Sequence, residues 1–159
     1  MSFLKPLNWR LARLQSLSAK DRWRLFQAGV GLPISALGVR LFGLRRWMRW
    51  IGRLGWRPAA PRAPADELSQ ARATARIVAM AARHAPYRGN CLSRSLTLWW
   101  LLLRQGIHSD LRIGVTRPPG QFEAHAWIEH QGFVINDRPD VTRRYSTFDR
   151  PINSAARFV

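Results

Sequence analysis

The sequence has little cysteine, little negative charge and no long uninterrupted apolar run. Cys91 is the only cysteine among the 159 residues, so no intramolecular disulfide can form. Proteins without disulfides suit reducing compartments, and we expect this one to be cytoplasmic. The apolar run at 25–39 contains Gly31 and Pro33 and is shorter than the roughly 20 residues that span a bilayer. The sequence therefore predicts neither a transmembrane helix nor a signal peptide.

The shortage of acidic residues leaves a strong positive charge. Asp and Glu number 9 against 26 Lys and Arg, which gives a formal net charge of +17. The charge is uneven, because residues 1–57 carry 12 Lys and Arg against Asp21 alone. Such a field attracts nucleic acids, acidic lipid surfaces and acidic peptides alike. The charge therefore narrows the classes of partner without choosing among them.

Composition divides the chain into three segments. Residues 1–57 form a basic, tryptophan-rich region with apolar side chains at helical spacing, and Gly31-Leu32-Pro33 is expected to break it into two helices. Residues 58–65 are an Ala/Pro linker, because repeated proline cannot continue a helix. Residues 66–159 are enough for one catalytic domain. The side chains expected to be buried in the first segment are Leu25, Phe26, Leu37, Leu41, Leu44, Trp47 and Ile51.

The third segment has a helical pattern followed by a strand pattern. An alanine-rich helix is expected from Asp66 to about His84. A second helix, 91–104, follows with Asn90 as its N-cap, and it is apolar nearly all round, which predicts a place in the core. From residue 111 the period changes to two, which predicts strands at 111–115, 122–130 and 133–137. This order indicates an α+β fold: N-terminal helices, then a core in which the second helix packs on a small antiparallel sheet.

A thiol, an imidazole and a carboxylate stand out within that core. Cys91 begins the core helix, where unpaired amides and the helix dipole favour an anion, so we expect its thiolate to be stabilised. His125 lies in the middle of a predicted strand, and Asp137 ends the next one. A thiolate nucleophile needs an imidazole base and a third group that orients it, so this order suggests a cysteine enzyme. Each residue also has an ordinary interpretation: a small buried hydrophobe, a structural histidine and a carboxylate that caps a turn.

The hairpin between the last two strands determines whether His125 and Asp137 meet. A three-residue loop at 130–132 would place them directly opposite each other. A two-residue loop, Gln131-Gly132, would turn the carboxylate to the opposite face of the sheet. A catalytic triad therefore requires the three-residue loop or a bulge.

Several stretches resemble the lasso-peptide leader proteases of the transglutaminase-like superfamily. The resemblance spans about residues 65–141 and rests on Asn90-Cys91-Leu92-Ser93-Arg94-Ser95-Leu96-Thr97-Leu98-Trp99-Trp100-Leu101-Leu102, Gly106-Ile107, Leu111-Arg112-Ile113-Gly114-Val115, Ala124-His125-Ala126-Trp127-Ile128-Glu129 and Asn136-Asp137. It implies a transglutaminase-like or papain-like core with Cys91 as nucleophile, His125 as general base and acid, and Asp137 as orienting carboxylate. The implied reaction removes the leader from a ribosomally made precursor peptide and frees the core amine for a separate cyclase.

The resemblance also implies partners and a substrate cleft. The short N-terminal helical region is similar to that of the stand-alone protease, which works with a separate leader-binding recognition protein and a lasso cyclase. Tyr87 and Arg88, just before the nucleophile, and Trp127, beside His125 on its strand, are candidates for substrate binding; an ordinary loop role is the alternative for the first two. One cysteine and scattered histidines have no recognised metal-ligand spacing, so we expect neither a metal nor a cofactor.

Two other classes of function stay open. A transglutaminase-like acyltransferase would use the same three residues on an amine acceptor. A non-catalytic basic module would bind nucleic acid or a membrane through residues 1–57, where arginines and tryptophans interleave. The simpler interpretation of that region is a solvated face on helices that pack against the catalytic domain, or a surface that docks a protein partner. We favour the leader peptidase with no nucleic-acid partner, and membrane contact is the less favoured role.

Overall fold

The computed structural model describes residues 18–58, 61–84, 89–116 and 123–147, and these form a helical part followed by a sheet. The described helices and strands are α1 (Ala19–Phe42), α2 (Leu44–Gly55), α3 (Pro64–His84), α4 (Cys91–Leu103), β1 (Asp110–Thr116), β2 (Glu123–His130), β3 (Phe133–Val134), α5 (Val141–Arg144) and β4 (Ser146–Thr147). The four long helices precede the first strand, and only the short α5 lies among the strands. The architecture is α+β, as the sequence predicts.

Helix α4 is the centre of the molecule. Asn90 caps it as predicted, and its side-chain oxygen accepts a hydrogen bond from the Ser93 amide at 2.8 Å. At the other end the Ile107 amide donates to the Leu102 carbonyl at 2.9 Å, across Gly106 with its φ of 70°. Nine of the 13 residues are buried, which confirms the core position predicted from the apolar pattern. Helices α1, α2 and α3 and strands β1 and β2 all pack against it.

Helix α1 continues through the segment that the sequence predicts to be its break. Pro33 lies inside the helix, and the chain turns only at Gly43, whose φ is 75°. Proline removes one backbone hydrogen bond, but the neighbouring Leu32 is fully buried. A Cβ added at Gly31 would lie 2.9 Å from Cγ2 of Thr97, so glycine permits the close approach of α1 to α4. Tertiary packing therefore outweighs the helix-breaking tendency, and the predicted position of the break is wrong.

Bulky side chains of α1 face solvent where the sequence predicts burial. Phe26, Leu37 and Leu41 are 60%, 56% and 62% exposed. The residues of α1 that are buried instead are Ala28, Leu32, Ser35 and Gly38. Three of these four are small, which lets the helix lie close to α3 and α4. The prediction is correct for Ile51, which is buried, and for three side chains that pack at the edge of the core, namely Leu25, Leu44 and Trp47.

The linker between α2 and α3 is shorter than predicted. Helix α3 begins at Pro64, whereas the sequence predicts a linker through residue 65 and a cap at Asp66. Proline is well suited to the first position of a helix, because the amide it lacks would have no partner there.

Helix α1 packs against both α3 and α4. The helices before the linker therefore share one hydrophobic core with the helix that begins at Cys91.

The four described strands form one antiparallel sheet in the order β3-β2-β1-β4. Gly114 of β1 lies opposite His125 of β2. One face of β2 contributes Ala126 and Ile128 to the main core around α4. The other face belongs to a second, smaller cluster that comprises Trp127, Val141 and Tyr145. Val141 of α5 and Tyr145, directly after that helix, complete this cluster. Neither α5 nor β4 is predicted from the sequence.

Glycine substitutions on α1 test how tightly it packs on α2. A Cβ at Gly38 would lie 2.3 Å from Cδ2 of Trp47, whereas a Cβ at Gly29 would have nothing within 4 Å. We expect Gly38→Ala to lower the free energy of unfolding by about 1–3 kcal/mol through overpacking. Gly29→Ala, the matched control, should raise it by about 0.5–1 kcal/mol, because alanine favours the helix. Urea unfolding monitored by tryptophan fluorescence measures both, and equal effects would contradict the close approach.

Candidate active site

Cys91 occupies the first position of α4. Backbone amides in this first turn have no partner within the helix. The side chain is partly buried and packs against the edge of the main core. Asn90 already caps the helix, so the thiol is not required for capping. The thiol is thus at the helix tip, neither on a loose loop nor sealed in hydrocarbon.

The side chains of His125 and Asp137 are in direct contact. Nε2 of His125 forms a hydrogen bond with Oδ2 of Asp137. The other carboxylate oxygen, Oδ1, accepts the Arg138 amide at 2.6 Å and lies 3.8 Å from Nη2 of Arg144. The carboxylate is therefore held from two sides while it contacts the imidazole. The two side chains are 22% and 21% exposed, so a substrate group can reach them.

The hairpin before Asp137 does not have the loop that the triad hypothesis favours. His130 pairs with Phe133, so the loop is the two-residue Gln131-Gly132. The φ angles of the loop residues are 51° and 80°, the left-handed values that a tight two-residue turn requires. Of the two loops that the sequence leaves open, the structure therefore has the two-residue one. If the strands continued in this register, the carboxylate would point to the opposite face from His125.

The contact becomes available because the chain leaves the ladder early. Strand β3 ends at Val134, three residues short of its predicted end at Asp137. The Ile128 amide donates to Oδ1 of Asn136 at 2.8 Å, so a side chain occupies the acceptor position that a strand carbonyl would take. The Ile135 amide still donates to the Ile128 carbonyl at 2.9 Å, and the backbone bends at 135–137. Asp137 is therefore released from the alternation of the strand and can approach His125.

Two hydrogen bonds connect the chain segments that carry Cys91, His125 and Asp137. Ser95, one helical turn after Cys91 and fully buried, donates to the carbonyl of Ala126 at 3.0 Å. Asn136 donates through Nδ2 to Oγ of Ser95 at 3.0 Å. Ala126 follows His125 in the chain, and Asn136 precedes Asp137. The second turn of α4 is thereby bonded to the segments that carry the imidazole and the carboxylate.

Aromatic rings support the imidazole. The ring centroid of His125 lies 5.0 Å from that of Tyr145 and 6.2 Å from that of Trp127. A Cβ at Gly114, opposite His125, would lie 2.7 Å from Cβ of Tyr145, so only glycine permits this packing. Tyr145 donates its phenolic hydrogen to Oε1 of Glu123 at 2.9 Å. This hydrogen bond, followed by burial, raises the pKa of Tyr145 above its ordinary value.

The raised pKa of Tyr145 predicts a loss of stability at alkaline pH. Above pH 10.0 the unfolded chain loses the phenolic proton while the folded protein retains it. The stabilisation is therefore complete below that pH and disappears as pH rises through the raised pKa. We expect the melting temperature of the wild type to fall more steeply above pH 10.0 than that of Tyr145→Phe, since every other group titrates in both proteins. Parallel melting curves across this range would contradict the assignment.

The other predicted site residues do not join the candidate site. Tyr87 and Arg88 lie outside the described residues. Trp127 is fully buried and donates its indole N–H to Oε1 of Glu129 at 2.9 Å, which leaves no surface for a substrate. Its predicted role in substrate binding is therefore wrong, and it supports the imidazole instead. Within the described part of the chain, no hydrogen bond joins the thiol of Cys91 to His125.

Several residues with structural roles in this region have weak sequence signals. Ser95 lies four residues after the thiol, a spacing that places it on the same helix face. Asn136 directly precedes Asp137, which gives some indication that it lies nearby. Glu123 shares a strand face with His125. Tyr145 directly follows the short helix α5, and no periodicity of the sequence connects it to the imidazole.

The chemistry available to this arrangement is proton transfer and nucleophilic attack. Across the described ranges, no three His, Cys, Asp or Glu side chains are grouped as metal ligands would be. The charged partners of the imidazole are a carboxylate and, behind it, an arginine. Such an environment can hold a histidine in a fixed orientation while it accepts and donates a proton.

Comparisons with known proteins place the chain in a family. Residues 38–149, well over half of the chain, match the model of the transglutaminase-like superfamily. A stretch of 60 residues is 37% identical to the microcin J25-processing protein McjB of Escherichia coli. That stretch covers 38% of this chain and only 28% of the relative, so the similarity concerns a part of each protein. No solved structure matches the chain. The length of the superfamily match shows that the chain belongs to the transglutaminase-like superfamily.

Proposed function

We propose that this protein is a cysteine peptidase that removes the leader from a ribosomally made lasso precursor peptide. The observation that carries the proposal is the hydrogen bond between His125 and Asp137, in a region bonded to the helix that begins at Cys91. Membership of the transglutaminase-like superfamily supports the cysteine chemistry. The partial similarity to a protein that processes microcin J25 supports a role in lasso-peptide maturation.

The tautomer of His125 follows from its contact with the carboxylate. Nε2 carries the proton that is shared with Asp137, so Nδ1 is left as the acceptor. In the proposed reaction Nδ1 takes the proton of the Cys91 thiol, and the thiolate attacks the carbonyl carbon at the end of the leader. The backbone amide of Cys91 lies at the helix start, where it is free of intrahelical bonding and suited to donate to the oxyanion.

The remaining steps balance without a cofactor. The imidazolium gives its proton to the departing amine of the core peptide, and a thioester between the leader and Cys91 remains. His125 then takes a proton from water, which attacks the thioester and releases the leader acid. The thiol recovers its proton from the imidazolium. One peptide bond and one water molecule are consumed, and the enzyme returns to its starting state.

The proposed partners follow from the class of reaction. The substrate is a precursor peptide, and its freed amine is the group that a separate lasso cyclase would join to an acidic side chain. Residues of α1 and α2 belong to the main core around α4, and the N-terminal region is similar to that of the stand-alone leader protease, which works with a separate leader-binding protein. We therefore propose that a separate leader-binding protein presents the precursor, and that the reaction takes place in the cytoplasm.

Acyl transfer to an amine is the alternative reaction of the same three residues. A transglutaminase-like acyltransferase would form the same thioester but resolve it with an amine in place of water. We favour hydrolysis because the similar Escherichia coli protein is described as a processing protein. The two reactions differ in the mass of their products, which makes them easy to separate.

Mass spectrometry of a lasso precursor incubated with this protein and a leader-binding companion tests the proposal. Hydrolysis predicts two peptides whose masses together equal that of the precursor plus one water. Acyl transfer predicts no gain of water and a product joined to the amine that is supplied. Recovery of intact precursor under conditions where the companion binds it would contradict the peptidase function.

A further inference from the structure

The exposed large apolar side chains of this protein are concentrated on its first two helices. Eleven such side chains are exposed among the described residues, and ten of them lie between residues 23 and 56. Six form a single stripe on α1, here called the apolar face: Trp23, Phe26, Val30, Ile34, Leu37 and Leu41. Their spacing of three and four residues keeps them on one side of the helix over about 27 Å. A soluble monomer rarely leaves such a continuous patch uncovered.

Helix α2 adds exposed aromatic and charged side chains next to α1. The Trp50 ring lies 4.7 Å from that of Phe42, the last residue of α1, so an exposed aromatic pair lies where the two helices meet. Arg46 and Arg53 lie one turn before and one turn after Trp50 on the same side of α2. Both arginines are exposed. The exposed side of α2 therefore has a tryptophan ring between two arginines.

The charge around the apolar face is almost entirely positive. Residues 18–58 contain nine Lys and Arg against Asp21, and eight of the nine cations are exposed. They are Lys20, Arg22, Arg40, Arg45, Arg46, Arg49, Arg53 and Arg57. A second copy of the chain would bring two such sets of cations together, which opposes self-association through this face. The complementary partner is apolar at its centre and anionic at its surface.

We infer that the apolar face of α1, with the arginines of α2, seats this protein on an anionic lipid surface. Apolar side chains, tryptophan and a basic border are the combination that lies in a membrane interface. The face is the outer ridge of a helix, and a ridge enters the headgroup region more readily than it receives a peptide. Membrane contact is the less favoured role when Phe26, Leu37 and Leu41 are expected to be buried. In the structure these side chains are exposed, so they are available to lipid.

The buried side of α1 favours interfacial contact over a membrane span. By length and composition α1 would be able to cross a bilayer, with a mean hydropathy of 1.4 in its most apolar window. Its other side, however, is packed into the protein, and Oγ of Ser35 lies 3.3 Å from Oγ1 of Thr97 on α4. A helix that is held to the core in this way presents only its outer face to lipid. The candidate active site, on α4 and the sheet, would then remain in the aqueous phase.

Vesicle sedimentation of the full chain tests this inference without reference to activity. We expect the wild type to sediment with vesicles of phosphatidylglycerol and phosphatidylcholine in equal parts, and not with phosphatidylcholine alone. Phe26→Gln with Leu37→Gln should weaken the partition roughly tenfold per side chain. Phe133→Gln is the matched control, since Phe133 is 51% exposed and lies on β3, away from the patch. All substituted positions are exposed, and equal melting temperatures will show that the fold is retained.

The contribution of charge has its own matched pair. Arg46→Gln with Arg53→Gln should weaken the partition about fivefold per arginine, because each cation near an anionic surface adds to binding. Arg76→Gln with Arg83→Gln removes the same charge from exposed positions on α3 and should have a much smaller effect. A larger loss of vesicle binding for the α2 pair than for the α3 pair supports the inference. Equal losses would show that the binding depends only on net charge, which would overturn it.

Other occupants of the apolar face would give different outcomes. A wild-type dimer that the Phe26 and Leu37 substitutions dissociate, without vesicle binding, would assign the face to a second copy. Binding of polyglutamate that depends on Phe26 and Leu37, again without vesicle binding, would assign it to an acidic protein. Vesicle binding that survives these substitutions but disappears on deletion of residues 1–17 would assign the lipid binding to residues 1–17. Each of these results overturns the inference.

Discussion

A Cys91→Ala variant is expected to leave the lasso precursor intact under conditions where the wild type converts it completely. In the proposed reaction the Cys91 sulfur forms the thioester, and the chain has no other cysteine to replace it. Removal of the nucleophile from a serine protease lowers kcat by a factor on the order of 10⁶, and we expect a loss of similar size here. Single-turnover incubation followed by mass spectrometry measures the fraction of precursor that is cleaved. The same spectra would show a thioester adduct on the wild type and none on the variant.

A second substitution at the same position makes the first result specific to the thiol. Cys91→Ser preserves the shape of the side chain but offers a hydroxyl, which is a far weaker nucleophile without a matched base. It should be as inactive as Cys91→Ala. Both variants should keep the wild-type melting temperature, since Cys91 is only partly buried and does not cap α4. Equal cleavage by Cys91→Ala and the wild type would remove the nucleophile assignment.

The sequence predicts the core of this fold well because local signals there agree with tertiary packing. The Asn90 cap and the nearly all-round apolar pattern both predict α4, and the structure confirms its start and its burial. The change to a period of two likewise predicts β1 and β2. In these elements, the local preference and the buried environment favour the same conformation.

The predictions fail where packing overrides a local preference. Pro33 is tolerated inside α1 because Leu32 and Gly31 pack tightly beside it. Periodicity reveals that α1 has an apolar stripe but not which of its two sides meets the core. The side with small residues packs, and the bulky side stays exposed. The reason is visible only in three dimensions, since Gly38 lies against Trp47 of the next helix.

The contact between His125 and Asp137 illustrates a different limit. The alternation of side chains along a strand predicts faces only if the strand is regular to its end. With a two-residue loop, this alternation places the Asp137 carboxylate on the face opposite to His125. The structure resolves the conflict through Asn136, whose side chain bonds to the Ile128 amide and ends the ladder early. A side chain that substitutes for a backbone acceptor leaves no periodic signal. The residue types of this contact were therefore predictable, but the route that joins them was not.

An Asp137→Asn variant is expected to lose leader release by a factor on the order of 10²–10⁴, the upper value being that of a serine-protease triad. The amide keeps the size of the side chain but can donate a hydrogen to Nε2 of His125, where the carboxylate accepts one. A donor at that position moves the ring proton to Nδ1, the nitrogen that must accept the proton of the thiol. The loss should therefore appear mainly in kcat, with KM for the precursor nearly unchanged.

Asp140→Asn is the matched control for this substitution. Asp140 lies 3.4 Å from Nε of Arg144, the same arginine that approaches Asp137, but it is 51% exposed and has no contact with the imidazole. If Asp137 only anchored Arg144, the two variants would behave alike. If it orients His125, only Asp137→Asn should lower kcat. The free energy of unfolding of both variants should lie within about 1 kcal/mol of the wild-type value. Full activity in Asp137→Asn would leave Cys91 and His125 as a pair that needs no carboxylate.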